Sequence, residues 1–211
     1  MLSRSEQKHF LKKQPDFDEI SNCLRAACKF PNKAILREIK EAVALARKFN
    51  QEVVRPYALE LDRKKQQDND YLPWEFVNKA NDWGFYSKWI PRFLGGGGYN
   101  FLSLFFFLEE IASECPGMAN LIGVQYLGVA ATFASFNLRV ANDIFRQVAQ
   151  GEREGNPCLL TACNTEPAAG TDLMEPEMMD KANVSCHAQR VEGGYLLNGN
   201  KIFISNGHLA Q

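Results

Sequence analysis

The chain has 211 residues, of which 45% are hydrophobic and 11% aromatic, enough for one ordinary domain or two small ones with a hydrophobic core. A net charge of −1 is spread along the sequence without a basic stripe, which argues against a nucleic-acid partner. The six cysteines form no C-x-x-C pair, so reduced thiols and a cytoplasmic location are predicted.

Residues 1–32 are interpreted as an N-terminal extension. The stretch is basic at first, but it contains Glu6 and Asp16 and lacks the apolar h-region of a secretory signal. Neither secretion nor import into an organelle is therefore expected.

Residues 33–156 predict an N-terminal helical domain. From residue 32 to about residue 65, apolar residues recur at three- and four-residue steps, the pattern of an amphipathic helix. Pro56 predicts a kink or break in this helix near Arg55, because proline lacks a backbone donor. A short second helix follows, with Pro73 at its first position and Gly84 just beyond its end.

The run IPRFLGGGGYN is predicted to be a loop, since its glycines do not fit a phosphate-binding spacing. The next stretch, FLSLFFFLEEIASE, reads as a helix whose nearly all-apolar first half is buried between other helices. Glu110 and Glu114 lie four residues apart on this helix. A solvated face explains this spacing better than a pair of catalytic carboxylates.

Residues 115–138 carry no charge over 24 positions and are long enough to cross a bilayer. Asn120, Gln125 and Asn137 lie within the stretch, together with glycines and a proline. These residues favour a buried helix, and no membrane contact is predicted. The following run, RVANDIFRQVAQGERE, predicts a helix that closes at Gly151.

From residue 157 the hydrophobic period changes to that of strands, which predicts the start of an antiparallel β domain over 157–211. CLLTAC reads as one strand, and NVSCHAQRV alternates as a half-buried strand does. Gly193 and Gly194 predict a turn, and Asn198 with Gly199 predicts a tight hairpin. No metal site is predicted at Cys186, although a histidine follows it, because adjacent strand residues face opposite ways.

The last predicted strand, KIFIS, separates two faces. Ile202 and Ile204 are on the expected core side, and Phe203 and Ser205 present a ring and a hydroxyl group on the other. Such a pair can stack on a planar ring and hydrogen-bond its edge, yet an ordinary surface strand has the same pattern. Spacing alone leaves both interpretations open.

Three motifs, LEEIASECPG, TEPAAGTD and GGYLLNGNKIFISNG, resemble in sequence and order the acyl-CoA dehydrogenase family. The resemblance covers about residues 33–211. It implies an N-terminal helical domain, a middle β domain and a C-terminal helical domain, of which this chain contains the first and the start of the second. The C-terminal helical domain is expected to be absent.

The resemblance implies FAD as cofactor and names its binding residues. The positions that match the isoalloxazine contacts are Ala162, Asn164 and Thr165, while Gly170 and Thr171 match the turn beside the pyrophosphate. Thr171 also matches a position that touches the CoA part of the substrate. Phe203 and Ser205 match an aromatic residue and a hydroxyl group beside the flavin.

The family removes the α-proton of an acyl-CoA thioester with a carboxylate while the β-hydrogen leaves as hydride to the flavin. The base comes from the C-terminal domain, so no catalytic residue is assigned and the chain alone is expected to be inactive. Glu166 is interpreted as a loop carboxylate bonded to nearby backbone. The family also implies electron-transferring flavoprotein as acceptor and a homo-oligomer.

Three departures from the family pattern stand out: Ala162 and Phe203 replace frequent aromatic residues, and LMEPEMMDKAN is longer than usual. The long run either reshapes the CoA entrance or is a surface loop. Two alternatives to a dehydrogenase portion remain, a non-catalytic module that binds FAD or acyl-CoA and a membrane-associated protein built around residues 115–138.

Overall fold

The structure, a computed structural model, describes residues 33–210, so the extension predicted over residues 1–32 lies outside the described residues. Within this range, helices come first and a two-stranded antiparallel sheet follows. The helices are α1 (Lys33–Phe49), α2 (Arg55–Gln67), α3 (Trp74–Asp82), α4 (Phe101–Ala112), α5 (Pro116–Ala134) and α6 (Leu138–Glu154), and the strands are β1 (His187–Val191) and β2 (Gly194–Asn198). This order confirms the predicted α+β fold class, a helical part followed by an antiparallel β part.

The predicted break in the first helix lies just before Pro56. A π-helical turn, Asn50–Val54, joins α1 to α2. Pro56 has no N–H to donate, and its ring crowds the carbonyl group four residues earlier, so a regular helix does not continue through it. The predicted interruption near Arg55 is confirmed.

Glu110 of α4 and Glu114, two residues beyond its end, do not form a solvated face. The Arg47 Nε lies 3.1 Å from a Glu110 carboxylate oxygen, and the Arg55 guanidinium donates two hydrogen bonds to Glu114. The Asn50 side-chain amide also donates to the Glu110 carbonyl oxygen at 2.6 Å. Both carboxylates therefore join the C-terminal part of α4 and the turn after it to the first helical stretch, which no single-helix pattern reveals.

An aromatic core holds the helices together. The Phe49 ring meets the rings of Phe76 and Phe85 edge to face, with centroids 5.9 and 4.8 Å apart. Trp89 lies 4.9 Å from Phe107 of α4. All five rings are buried, and each such pair adds about 0.5–1.5 kcal/mol to the burial of its surface.

The ends of α3 are close to those predicted. Pro73 stands immediately before the first helical residue rather than at it. Gly84 follows the helix with a φ of +71°, a left-handed conformation that favours glycine over any side chain. The second predicted helix is confirmed with this shift of one residue.

α4 is less buried than its composition predicts. Leu104, Phe107 and Ile111 are in the core, but Phe105 faces solvent. Because phenylalanines occupy three consecutive positions of a helix, they cannot all point to one side. Burial of the whole first half of α4 was therefore a wrong prediction.

Among residues 33–210, α5 alone is long and apolar enough to cross a membrane by length and composition. In the fold, 44% of that stretch is buried inside the protein, and Ile122, Tyr126 and Val129 belong to the hydrophobic core. Core helices pass the same test of length and composition, so the test itself does not indicate a membrane span.

α6 does not close at Gly151. The helix continues to Glu154 and ends at Gly155, which has a φ of +72°. Gly151 instead allows a close approach, since a Cβ atom there would lie 2.4 Å from the Asn156 carbonyl oxygen and 3.2 Å from the Cys158 amide nitrogen. The predicted helix end at Gly151 is therefore wrong. Gly155 ends the helix, and Gly151 permits close packing.

The β part consists of one hairpin among the described residues. β1 and β2 pair in antiparallel register from His187 opposite Asn198 to Val191 opposite Gly194, and Gly193 turns the chain with a φ of +80°. The turn predicted at the glycine pair is confirmed. Both strands are exposed along their whole length, so the prediction of a half-buried first strand is wrong.

Two predicted strands, CLLTAC and KIFIS, are absent from the described part of the chain. Between Asn198 and residue 210, where the description ends, no second hairpin forms. Gly199 has a φ of +133° and leaves room for the Cys186 Cα atom, which would lie 2.5 Å from a Cβ there. Phe203 has a φ of +55°, in the left-handed region, which interrupts the extended chain that a strand requires.

Candidate functional site

Residues 161–166 and 201–206, which contain the motifs TEPAAGTD and KIFISNG in part, lie side by side and run in opposite directions. The Thr161 hydroxyl group donates to the Ser205 carbonyl oxygen at 2.6 Å, and the Ile202 amide donates to the Thr165 carbonyl oxygen at 2.9 Å. Two stretches about forty residues apart in sequence thus form one surface.

Five of the candidate flavin-contacting residues come together on this surface: Ala162, Asn164, Thr165, Phe203 and Ser205. Ala162 and Thr165 are half-buried, and Asn164 and Ser205 are exposed. The Phe203 side chain is 88% exposed, so its ring is available to a ligand. Ile202 and Ile204, the neighbours of Phe203 in the chain, are half-buried.

Glu166 is the buried centre of this region, although the resemblance gives it no binding role. Its side chain is completely buried and accepts hydrogen bonds from Lys201 Nζ at 2.7 Å, the Ser185 amide at 2.6 Å, the Ser185 hydroxyl at 2.8 Å and the Cys186 amide at 3.1 Å. The bond from Lys201, and next that from the Ser185 amide, lower the pKa of Glu166 to about 2.

A carboxylate with this pKa and with its oxygens occupied is a poor general base. The geometry therefore agrees with the interpretation of Glu166 as a structural carboxylate. Lys201 completes the arrangement, because its ammonium group also donates to the Asn164 carbonyl oxygen at 3.0 Å. One lysine thus links the Asn164 backbone, the buried Glu166 and the second motif.

The second candidate group, Gly170 and Thr171, lies at the start of a short 3-10 turn, Thr171–Leu173. A Cβ atom on Gly170 would meet only the Thr165 methyl group, at 3.8 Å, so open space adjoins the flavin motif here. The Gly170 amide, however, donates to the Asp172 carboxylate at 2.6 Å. The Thr171 side chain is exposed.

The site is anchored to the helical part through α5, a connection that motif reading missed. The Gln125 side chain is fully buried, accepts from the Leu160 amide at 2.7 Å and donates to the Cys158 carbonyl oxygen at 3.4 Å. The Asn206 side chain donates to the Leu121 carbonyl oxygen at 2.9 Å. The sequence shows Gln125 as a polar residue inside an apolar helix, but only the fold identifies its partner.

Replacing Gln125 with leucine is expected to lower the free energy of unfolding by about 1–3 kcal/mol, because the amide of the half-buried Leu160 loses its acceptor. Chemical denaturation at constant slope measures this change. Gln147→Leu, at an exposed position of α6, is the control and should stay within about 0.5 kcal/mol of the unchanged chain. Equal effects of the two substitutions would contradict the proposed anchor.

Metal binding finds no support in the described residues, since no group of three or more His, Cys, Asp or Glu side chains in residues 33–210 could hold an ion. His187 contacts the Ser185 carbonyl oxygen through Nδ1 at 2.9 Å, and Cys186 is half-buried beside it. His187 thus contacts Ser185, and the Cys186 amide donates to Glu166, so both residues take part in the structure around Glu166.

Comparison with known proteins agrees with the geometry. Residues 37–150, more than half of the chain, match the model of the family described as "Acyl-CoA dehydrogenase, N-terminal domain". The chain is 32% identical over 182 residues to mitochondrial isovaleryl-CoA dehydrogenase of Solanum tuberosum, covering 83% of this chain and 38% of that protein. It is 27% identical to benzylmalonyl-CoA dehydrogenase of Aromatoleum aromaticum, over 77% of this chain and 39% of that protein.

A solved structure gives the same fold. A chain from a structure described as the electron transferring flavoprotein of Acidaminococcus fermentans superposes with a TM-score of 0.66 at 22% identity, over 86% of this chain and 42% of that chain. The present sequence spans about two fifths of the length of the curated relatives that it matches. From the family model and these relatives, the chain belongs to the acyl-CoA dehydrogenase family.

Proposed function

We propose that the chain contributes one wall of an FAD and acyl-CoA site in a protein that dehydrogenates acyl-CoA thioesters. The observation that carries this proposal is the antiparallel alignment of residues 161–166 with residues 201–206, which collects the candidate flavin-contacting side chains on one open surface. Family membership supplies the class of cofactor and substrate.

In this proposal the surface residues hold and orient the cofactor. Phe203 offers an exposed ring against the flavin plane, and the Thr165 and Ser205 hydroxyl groups offer hydrogen bonds to the ring's polar atoms. Asn164 adds a side-chain amide beside them. The residues present thus fit a flat ligand that has one apolar face and a polar edge.

FAD, when bound, would accept the hydride from the substrate, and the protein would orient the cofactor and the substrate and set the electrostatic environment of the reaction. The side chain at Thr171 is exposed and available to the CoA portion of the substrate. No proton-accepting residue is assigned within the chain, since Glu166 is fully engaged. The open space beside Gly170 is where the pyrophosphate is proposed to lie.

The partners proposed from family membership are an acyl-CoA substrate, an electron-transferring flavoprotein as electron acceptor and further copies of the same chain in a homo-oligomer. A cytoplasmic location also stays a proposal.

The test is a visible absorbance spectrum of the purified chain after incubation with FAD and removal of the excess. A retained flavin band is expected for the unchanged chain. The double variant with Thr165→Val and Phe203→Ala is expected to bind FAD about tenfold more weakly or worse, because one ring contact and one hydrogen bond are lost.

Phe105→Ala, at an exposed phenylalanine on α4, is the matched control and should retain the band. A spectrum without flavin, or a band that the double variant keeps at full height, would contradict the proposal that these residues hold the cofactor.

A further inference from the structure

The segment after Thr171 exposes several methionines next to the candidate site. Met174, Met178 and Met179 are 70%, 48% and 56% exposed, whereas Met118 of α5 is completely buried. Exposed thioethers react with peroxides to give methionine sulfoxide, and buried ones are protected. The segment is therefore oxidisable at positions where the helical core is not.

Met174 differs from its two neighbours in what it touches. Its Sδ atom accepts a hydrogen bond from the Asn164 side-chain amide at 3.4 Å. Asn164 is a candidate flavin-contacting residue, and its carbonyl oxygen is held by Lys201. Met174 also ends the turn that begins at Thr171, since its amide donates to the Thr171 carbonyl oxygen at 2.9 Å.

We propose that Met174 is a modification site at which oxidation by hydrogen peroxide weakens cofactor binding through Asn164. The Met174 sulfur attacks one peroxide oxygen, the O–O bond breaks as the S–O bond forms, and the remaining oxygen leaves as water after proton transfer. The sulfur loses two electrons and the peroxide gains them. The part of the inference that concerns FAD rests on the proposed function.

The physical consequence follows from the change of acceptor. A thioether is an apolar group and a weak acceptor, whereas a sulfoxide is polar and carries its negative charge on an oxygen that projects beyond the sulfur. If the Asn164 amide bonds to that oxygen, it cannot keep its present position. The Asn164 side chain, itself part of the candidate flavin surface, is thereby displaced.

The experiment uses the full chain with Cys163→Ser throughout, because Cys163 is an exposed thiol beside Asn164. After peroxide treatment, peptide mass spectrometry should show oxidation of Met174, Met178 and Met179 ahead of Met118. In a two-dimensional ¹⁵N–¹H spectrum, the side-chain amide signals of Asn164 should move on oxidation. The same signals should stay in place in the Met174→Leu variant.

Titration with FAD then tests the consequence for binding. Oxidation should weaken FAD binding by about threefold to tenfold, the equivalent of one lost hydrogen bond. Met178→Leu and Met179→Leu should keep this response, Met174→Leu should lose it, and methionine sulfoxide reductase should reverse it.

Two results would overturn the proposal: an unchanged Asn164 amide signal after Met174 is oxidised, or an equal loss of FAD in the Met174→Leu variant. Failure of the unoxidised chain to bind FAD would instead contradict the proposed function. The Asn164 signals are read without cofactor, so they test the link to Met174 in that case as well.

Discussion

Replacing Gly128 with alanine is expected to lower the free energy of unfolding by about 1–3 kcal/mol, although alanine is the better helix former. Gly128 lies on α5 where the helix meets the chain that leads into the candidate site. A Cβ atom there would stand 2.6 Å from the Leu160 Cβ and 3.1 Å from the Thr161 amide nitrogen. Backbone atoms cannot move away without displacing the segment that starts at Thr161.

Gly117→Ala is the matched control, because Gly117 is in the first turn of the same helix and its nearest atom would be the Cys115 sulfur, at 4.0 Å. This substitution should be neutral or should stabilise the chain by up to about 1 kcal/mol. Denaturant titration of both variants decides the outcome. A stabilising effect at both glycines would show that α5 does not press against residues 160–161.

Gly128→Ala is also expected to affect FAD binding, because it displaces Thr161. Its hydroxyl group holds the Ser205 carbonyl oxygen, so a shift of residues 160–161 separates the two halves of the flavin surface. Under the proposed function, Gly128→Ala should therefore weaken FAD binding, while Gly117→Ala should leave it unchanged.

The helices were predictable from sequence because their signals are local. The three- and four-residue hydrophobic period and Pro56 were enough to predict α1, α2 and the interruption between them. Gly151 and Gly155 show where local reading fails. Both glycines are close to the end of α6, and only the approach of Asn156 to Gly151 tells which of them ends the helix.

The candidate site was predictable in part for a related reason. The motifs identify Thr165 and Phe203, and the fold brings their segments together. The residues that hold those segments, Gln125 and Lys201, act through partners 35 residues away in the chain. Such partners have no periodic signal. The strand predicted over KIFIS failed for a tertiary reason as well, since Phe203 adopts a left-handed conformation that its residue type disfavours.

Replacing Glu166 with alanine is expected to lower the melting temperature by at least about 5 °C at pH 7. The substitution removes the acceptor of the Ser185 and Cys186 amides and leaves the Lys201 ammonium group without its buried partner. A buried polar or charged group that loses its partner costs more free energy than the intact pair had contributed to stability. Differential scanning calorimetry gives the change, and Glu109→Ala, at an exposed carboxylate on α4, should remain within about 2 °C.

The pH dependence of the same contact has a definite sign. The pKa of Glu166 is about 2 in the folded chain, below the value of about 4.3 for an unfolded glutamate, so the unfolded state binds the proton more readily. The stabilisation is complete above the unfolded value and is lost as the pH falls from there towards 2. The melting temperatures of the unchanged chain and Glu166→Gln should therefore differ most near pH 7 and converge on acidification.

A constant difference between these two chains from pH 7 to pH 3 would mean that the Glu166 carboxylate is not held by Lys201 and the Ser185 amide. Lys201→Met separates the contributions of these two partners. Because the first of them is removed, the pKa of Glu166 should rise towards the unfolded value, so the acid-induced loss of stability should be smaller and should be complete at a higher pH. Since Lys201 also holds the Asn164 carbonyl oxygen, this variant should also bind FAD more weakly under the proposed function.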